Sequence, residues 1–159
     1  MKNKKIIIIG TTAFNLYFFR KDLILLCLEQ NYQVYAFVSE YTNEWLAKIE
    51  NLGATPITYQ LSRGGLNPLA DVQSTYRLMQ KIKVMQPDIV FSYSTKPVIY
   101  ATLAAYQAKV PYICGMIEGL GSPFTIHKYG QSFKTKFIRF MQVYLYRLAV
   151  PFLDKIIFL

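Results

Sequence analysis

The sequence has few of the residues that build metal sites and disulfide frameworks. Its single histidine is His127, and its two cysteines are Cys27 and Cys114, which lie far apart in apolar segments. His127 has no neighbouring Cys or His, and the cysteines do not form a Cys-x-x-Cys pair, so the spacing argues against a metal site. We expect no metal and no cofactor, and we expect both thiols to be free and buried in a reducing compartment.

Long hydrophobic runs are absent as well. After the basic start of the chain, the first apolar run covers only residues 6–9 before Gly10 interrupts it. This run is too short for the core of a signal peptide, and no small-residue cleavage site follows it. Nor does any segment reach the roughly 18 uninterrupted apolar residues that predict a membrane-spanning helix. The sequence therefore predicts neither a signal peptide nor a transmembrane segment.

Acidic residues are scarce towards the end of the chain. The formal net charge is +9, and after Glu118 the only acidic residue is Asp154. The basic residues of the same segment are Lys128, Lys134, Lys136, Arg139, Arg147 and Lys155. A field of one sign attracts nucleic acid, anionic lipid or phosphorylated substrates. Because the aromatic-basic motifs of RNA-binding modules are missing, we expect no nucleic-acid partner.

What is present is an alternation of apolar strands and helices. The chain has 159 residues, of which 53% are hydrophobic and 17% charged, which suits one packed domain. The predicted strands cover residues 5–9, 32–38, 55–61, 88–93, 112–117 and 155–159. The predicted helices cover residues 14–30, 42–51, 69–85, 96–109 and 132–148, with Arg20, Lys21, Asp22 and Glu29 on the solvent side of the first. This alternation predicts an α/β fold with a Rossmann-like, doubly wound parallel sheet of about six strands.

The chain stops inside its last predicted element. The apolar residues 155–159 are followed by no cap, no polar tail and no further helix. We therefore expect a truncated chain or one half of a split enzyme.

Three predicted loops lie at the carboxyl ends of strands, where ligands bind in such sheets. The first follows Gly10, which lets the backbone come close to a ligand, while Thr11 and Thr12 either hold an anion with the helix amides or only cap the helix. It lacks the Gly-x-Gly-x-x-Gly fingerprint of dinucleotide binding. In the second loop, Ser94 and Thr95 offer hydroxyls and Lys96 a charge at a helix start; the alternative is a cap and a solvated lysine.

The third loop begins with Glu118 and continues through Gly119 and Gly121, directly after an apolar strand. A carboxylate in this place can accept a hydrogen bond from a sugar hydroxyl or act as a general base. The alternative is a solvated carboxylate at the edge of a loop.

The last predicted helix has an aromatic side. At 100° per residue, Phe133, Phe137, Phe140, Met141, Tyr144 and Leu148 gather together. The basic residues Lys128, Lys136, Arg139 and Arg147 gather roughly opposite them. This pattern is typical of an interfacial helix that touches anionic lipid, and it also describes a helix that packs its apolar side on the sheet.

Taken in order, these segments resemble the N-terminal domain of retaining GT-B glycosyltransferases of family 4. The resemblance is carried by residues 6–10 with their loop, Ser62-Arg63 with Leu66-Asn67-Pro68, Ser94-Thr95-Lys96 and Gly119-Leu120-Gly121. It covers nearly the whole chain. Many relatives have a histidine just before or within the segment that matches residues 94–96, and this sequence has none there.

The resemblance implies transfer of a hexose or N-acetylhexosamine from a nucleotide-sugar to an undecaprenyl-diphosphate-linked saccharide, as in capsule, O-antigen or protein N-glycan synthesis. Glu118 is the catalytic candidate, and the substrate-binding candidates are Gly10, Thr11, Thr12, Arg63, Ser94, Thr95, Lys96, Gly119 and Gly121. The candidates for the membrane and the acceptor diphosphate are Lys128, Lys134, Lys136 and Arg139. We expect residues 1–159 to be the acceptor-side domain and to be inactive without a donor-binding C-terminal domain.

Two further expectations follow. The protein is expected to be cytoplasmic and to attach peripherally to the inner face of the cell membrane. A different function also fits the sequence: a non-catalytic, membrane-anchoring subunit that recruits the catalytic partner of a split glycosyltransferase.

Overall fold

The computed structural model describes residues 4–61, 68–125 and 132–159. These residues form one six-stranded sheet in which every strand is parallel to its neighbours. The strands are β1 (Lys5–Ile9), β2 (Gln33–Val38), β3 (Thr55–Thr58), β4 (Ile89–Tyr93), β5 (Tyr112–Ile117) and β6 (Lys155–Phe158). Their order across the sheet is β3-β2-β1-β4-β5-β6. The predicted doubly wound parallel α/β fold is confirmed.

Helices connect the strands, as predicted from the periodicity. They are α1 (Ala13–Glu29), α2 (Asn43–Asn51), α3 (Pro68–Met85), α4 (Thr95–Gln107) and α5 (Phe133–Ala149). Each predicted helix lies within two residues of its observed bounds. None of the helices among the described residues is long and apolar enough to cross a membrane.

The central strand β1 shows why apolar runs become strands here. Its alternate residues lie on opposite faces of the sheet: Ile6 and Ile8 belong to one core cluster, Ile7 and Ile9 to the other. The first cluster packs against α1 and α2, and the second against α3 and α4. A strand that is buried on both faces needs a continuous apolar sequence, and the isoleucine run supplies it.

Two local predictions were wrong. The edge strand β3 stops at Thr58 rather than Leu61, since its pairing with β2 ends there. Arg20, expected on the solvent side of α1, is only 8% exposed. Its guanidinium turns inward because polar partners lie on β5 and in the loop after it, described below.

Both cysteines are free, as predicted. Cys114 is buried, whereas Cys27 is half-buried rather than fully enclosed. Burial raises the pKa of both thiols, so the reactive thiolate form is disfavoured at each of them.

Candidate active site

The order in which strands are added to the sheet reverses between β1 and β4, and this point defines the candidate site. From β1 the chain builds outward to β2 and β3, and then returns to add β4, β5 and β6 on the other side. In such sheets the crevice beyond the carboxyl ends of the two central strands is the usual ligand site. The loops after β1, β4 and β5 are those in which the sequence predicted site residues.

Gly10 is required by the close approach of Tyr93. A Cβ at this position would lie 2.0 Å from the Tyr93 hydroxyl oxygen and 2.1 Å from its Cζ. On the other side, the Tyr59 hydroxyl donates a hydrogen bond of 3.0 Å to the Gly10 carbonyl. The first loop is therefore held by tyrosines from the ends of β3 and β4, which the sequence did not reveal.

Thr11 and Thr12 are engaged within the protein. The Thr11 carbonyl accepts hydrogen bonds of 2.9 Å from the amides of Ser39 and Glu40. The Thr12 hydroxyl accepts from the Asn15 amide at 3.1 Å and so caps α1. The capping alternative is thus observed for Thr12. The hydroxyl of Thr11 does not cap the helix.

Glu118 lies at the start of the loop after β5 and has two partners. One carboxylate oxygen forms an ion pair with the Arg20 guanidinium from α1. The other accepts a hydrogen bond of 3.2 Å from the Ser94 hydroxyl, in the loop after β4. The Glu118 side chain is 34% exposed, so it is held in place and is still open to solvent. The alternative of a solvated carboxylate at the edge of a loop is thus correct in part, since Glu118 is open to solvent but both of its carboxylate oxygens have partners.

Arg20 connects this carboxylate to the core. Its guanidinium lies over the Tyr93 ring, with Cζ 4.5 Å from the ring centroid. It also donates to the Phe19 carbonyl at 2.7 Å and contacts the Met116 sulfur at 3.2 Å. We define Arg20, Tyr93, Ser94 and Glu118 as the central network. It joins α1 to the loops after β4 and β5.

Tyr93 is the most enclosed member of the central network. It is only 2% exposed, and its hydroxyl has no hydrogen-bond partner among the described residues. Burial raises the pKa of Tyr93 well above the ordinary tyrosine value, although the nearby Arg20 charge opposes the rise. Tyr93 therefore stays protonated over the physiological range and contributes a neutral ring and hydroxyl.

The loops after β4 and β5 are fastened to each other. Ser94 has a φ of 70°, a left-handed conformation that is uncommon for a residue other than glycine. The Thr95 hydroxyl donates to the Gly119 carbonyl at 3.3 Å. Gly121 has a φ of 81°, which glycine adopts without strain. The structure thus brings together Ser94, Thr95, Glu118 and Gly119, as the sequence predicted.

Lys96 does not point into this site as a free charge. Its ammonium lies 3.3 Å from both carboxylate oxygens of Asp71 on α3. Asp71 is 2% exposed and also accepts a hydrogen bond of 3.0 Å from the Tyr100 hydroxyl. Burial, followed by the Asp71 charge, raises the pKa of Tyr100. These contacts join α3 to α4. Because the Asp71 carboxylate partly neutralises its charge, Lys96 is less able to bind an anionic substrate.

Helix α5 turns its aromatic side away from the protein. Phe133 is 87% exposed and Phe140 is 66% exposed, whereas Gln142, Tyr146 and Ala149 are buried. The interpretation in which the aromatic side packs on the sheet is therefore wrong. The exposed α5 face comprises Phe133, Phe137, Phe140, Tyr144 and Leu148. On the buried side, Tyr146 and Ala149, rather than the phenylalanines, pack in one cluster with residues of α4.

The prediction that the basic residues of α5 lie opposite its aromatic side is wrong in part, because Lys136 lies four residues before Phe140 and Arg147 seven after it, on the same side of the helix. Lys134 and Lys136 are exposed in its first turn. The Arg139 guanidinium stacks over Phe124, with Cζ 5.0 Å from the ring centroid. Gln142 ties the helix to the third loop by donating to the Leu120 carbonyl at 2.7 Å. Arg63, Lys128 and His127 lie outside the described residues.

Comparison with known proteins identifies relatives across this whole chain. The family described as "Glycosyl transferase 4-like" matches residues 5–158. The sequence is 31% identical over 144 residues to N,N'-diacetylbacillosaminyl-diphospho-undecaprenol alpha-1,3-N-acetylgalactosaminyltransferase of Campylobacter jejuni. That match covers 91% of this chain and 37% of the Campylobacter enzyme. The chain therefore spans little more than a third of the length of this relative.

Solved structures share the fold at low identity. A putative UDP-N-acetylglucosamine 2-epimerase from Listeria monocytogenes superposes with a TM-score of 0.65 at 17% identity, covering 98% of this chain and 39% of the epimerase. The UDP complex of MnaA from S. aureus superposes with a TM-score of 0.62 at 19% identity, covering 96% of this chain and 38% of MnaA. MurG of Acinetobacter baumannii superposes with a TM-score of 0.54 at 15% identity, covering 72% of this chain and 34% of MurG. In each case the likeness extends to about a third of the larger protein, and it shows the fold alone.

Proposed function

We propose, because this chain belongs to the glycosyl transferase 4-like family, that it is the acceptor-side domain of a glycosyltransferase. In this proposal the enzyme moves a hexose or N-acetylhexosamine from a nucleotide-sugar to a lipid-linked saccharide. The observation that carries the proposal is the 31% identity to the Campylobacter enzyme, which extends over 91% of this chain. That enzyme is named for an acceptor saccharide on diphospho-undecaprenol.

Glu118 is the proposed catalytic residue. Its carboxylate lies beyond β5 at the carboxyl edge of the sheet, and Arg20 and Ser94 hold one oxygen each. A carboxylate that is positioned in this way and is 34% exposed can accept a proton or a hydrogen bond from an acceptor hydroxyl. Arg20 acts in this proposal as a positioning residue, because it touches Glu118 rather than the sugar.

We propose that the acceptor is presented at a membrane surface by α5. The exposed α5 face offers aromatic side chains, and Lys134, Lys136 and Arg139 supply positive charge near them. An aromatic surface with adjacent lysines suits the interfacial region of a bilayer that contains anionic lipid. The charges also favour the diphosphate of a lipid-linked acceptor, and we propose that the protein attaches peripherally to the inner face of the cell membrane.

The donor-binding part is proposed to lie outside these 159 residues. The chain covers 37% of the Campylobacter relative, and the crevice described here is built from the ends of one sheet. Transfer with retention at the anomeric carbon follows the family resemblance. This domain alone is then expected to bind acceptor and to transfer no sugar.

A transfer assay tests the proposed activity. The protein that joins this chain to a donor-binding domain is incubated with a nucleotide-activated N-acetylhexosamine and an undecaprenyl-diphosphate-linked saccharide, beside the chain alone. We expect an extended lipid-linked product from the joined protein only, and the same anomeric configuration in donor and product. Product formed with water or a soluble sugar alone, and none with the lipid-linked acceptor, would refute the acceptor class.

The same assay addresses the membrane-anchoring subunit. If a separately encoded partner transfers sugar by itself and this chain only brings it to vesicles, the domain is an anchor. If the joined protein loses all transfer on substitution of Glu118, the domain takes part in the reaction.

Vesicle flotation tests the role of α5. We expect the chain to float with vesicles that contain anionic lipid and to stop floating when Lys134, Lys136 and Arg139 are changed to Glu. The matched control changes Lys4, Lys21 and Lys83 to Glu, because these exposed lysines lie elsewhere and give the same net charge. Equal loss of flotation in both triple variants would show that net charge alone, rather than α5, drives binding.

A further inference from the structure

An open pocket of about 570 Å³ lies beside the candidate site, at the carboxyl ends of β2 and β3. Helix α3 forms its other wall. The lining residues are Ser39, Tyr41, Thr58, Tyr59, Gln60, Leu61, Arg77, Leu78 and Lys81. Its volume falls in the range of about 300–1,000 Å³ that is usual for small-molecule sites.

The pocket carries positive charge without a compensating carboxylate among its lining residues. Arg77 and Lys81 lie four residues apart on α3, so both side chains are on one side of the helix. Arg77 donates to the Gln60 amide oxygen at 2.5 Å, and Lys81 donates to the Thr58 carbonyl at 2.6 Å. Both of these acceptors are neutral.

Two other lysines are ion-paired, whereas Lys5 donates to a neutral oxygen, the Met85 carbonyl, at 2.9 Å. Lys48 pairs with Glu44 at 2.6 Å, and Lys96 pairs with Asp71 at 3.3 Å. In the pocket, Arg77 and Lys81 line the same opening, and the described hydrogen bonds of both go to neutral oxygens. A preorganised cation pair of this kind is suited to an anionic ligand, and the planar guanidinium matches the geometry of a phosphoryl group.

The pocket is linked to the first loop of the candidate site. Tyr59, in its wall, donates to the Gly10 carbonyl at 3.0 Å. Ser39, also in its wall, donates from its hydroxyl to the Thr11 carbonyl at 3.1 Å. Since neighbouring strands are about 4.8 Å apart, the end of β3 lies roughly 10 Å from the end of β1. That distance is the size of a small saccharide.

We propose that this pocket is a binding site for a phosphate-bearing ligand, with Arg77 and Lys81 holding the phosphoryl group. Gln60 orients the Arg77 guanidinium. Tyr41 is 50% exposed and presents a ring against which a sugar that bears the phosphate can pack. The site is distinct from Glu118 and from the basic residues of α5. Its existence does not depend on the transferase activity proposed above.

Binding to the chain itself tests the site. Inorganic diphosphate and a hexose 1-phosphate are titrated by calorimetry and by amide chemical shifts, with the unphosphorylated hexose as a reference. We expect both phosphorylated probes to bind and to shift the amides around Gln60 and Arg77, and the plain hexose to bind at least tenfold more weakly. In the double variant Arg77→Gln, Lys81→Gln the affinity for diphosphate is expected to fall at least tenfold.

The matched control is Lys83→Gln. Lys83 lies on the same helix and is exposed, but it does not line the pocket. We expect the affinity of this variant to be unchanged, and thermal unfolding is expected to give the same midpoint for all three proteins. Absence of diphosphate binding by the wild-type chain would overturn the proposal, and so would an equal loss of affinity in Lys83→Gln.

A second arm separates the two sources of phosphate. Vesicles that contain phosphatidic acid are compared with soluble diphosphate as a competitor. If soluble diphosphate binds and vesicles do not compete, the ligand is a soluble phosphate; if vesicles displace the probe only while Arg77 and Lys81 are intact, it is a lipid phosphate. Binding of diphosphate with a negative transfer assay would leave this site standing and refute only the proposed activity.

Discussion

The central network and the neighbouring pocket differ in how their cations are held. Arg20 is buried and ion-paired with Glu118, whereas Arg77 and Lys81 are exposed and bonded to neutral oxygens. Both groups lie at the carboxyl edge of one sheet. Position at this edge therefore does not by itself distinguish a residue that stabilises the fold from a residue that is free to bind a ligand. Loss of the Arg20 charge should reduce stability, whereas loss of the Arg77 and Lys81 charges should reduce binding alone.

Replacing Gly10, which packs against Tyr93 of the central network, with Ala should cause the largest loss of stability. The added Cβ would overlap the buried Tyr93 ring, so the ring or the strand end must move. We expect a loss of about 3 kcal/mol in the free energy of unfolding, measured by urea denaturation. Gly119→Ala is the control, because a Cβ there meets nothing within 4 Å. Equal stability of the two variants would contradict the close approach at Gly10.

The next effect concerns the buried cation of the central network. Arg20→Met leaves Glu118 without its ion-pair partner and removes the charge over the Tyr93 ring. Since Glu118 is partly exposed, we expect a loss of about 2 kcal/mol rather than the larger penalty of a fully buried pair. The neighbouring Lys21→Met is expected to cost less than about 0.5 kcal/mol. If both substitutions cost the same, Arg20 has no special place in the fold.

Alkaline pH should lower the free energy of unfolding through three buried tyrosines. Burial raises the pKa values of Tyr59, Tyr93 and Tyr100 above the ordinary tyrosine value of about 10. The unfolded chain loses these protons first, so stability is complete below pH 10 and falls as the pH rises above it. Each tyrosine contributes a slope of up to about 1.4 kcal/mol per pH unit.

Urea denaturation at a series of pH values, with tyrosinate absorbance recorded in parallel, measures this slope. A free energy of unfolding that does not fall above about pH 10 would contradict the burial of these three hydroxyls.

The smallest effect compares two tyrosines that both approach Gly10. Tyr59→Phe removes the hydrogen bond to the Gly10 carbonyl and should cost about 1 kcal/mol. Tyr93→Phe removes a buried hydroxyl that has no partner among the described residues, so it should be neutral or slightly stabilising. Thermal denaturation of the two variants measures this difference in stability. A larger cost for Tyr93→Phe would show that its hydroxyl has a partner.

The fold was predictable because its signals are local. Buried parallel strands have continuous apolar sequences, and β1, β4 and β5 were found within one residue of their bounds. Thr42 caps α2, and Gly53 adopts a φ of 98° just past its end. The loops that carry Ser94 and Glu118 were also found, since parallel strands place their carboxyl ends at one edge.

The rest depends on contacts between residues far apart in sequence. Arg20 and Glu118 are 98 positions apart, and Asp71 and Lys96 are 25 apart. No periodicity within α1 marks Arg20 as buried, because the helix is apolar on most sides. The direction of α5 was equally hidden: its aromatic residues occupy the side that a sheet-packing helix would bury. Only the tertiary structure shows which side is covered.

Sugar transfer by a Glu118→Gln variant is the most direct test of whether Glu118 takes part in the reaction. In the protein that joins this chain to a donor-binding domain, initial rates of sugar transfer to the lipid-linked acceptor are compared for the wild type, Glu118→Gln and Glu44→Gln. Glu44 is exposed on α2 and away from the site, so it serves as the control. We expect Glu118→Gln to lose a factor of about 100 or more in rate while remaining folded, and Glu44→Gln to keep full activity. Equal activity of the two folded variants would contradict the assignment of Glu118 to the reaction.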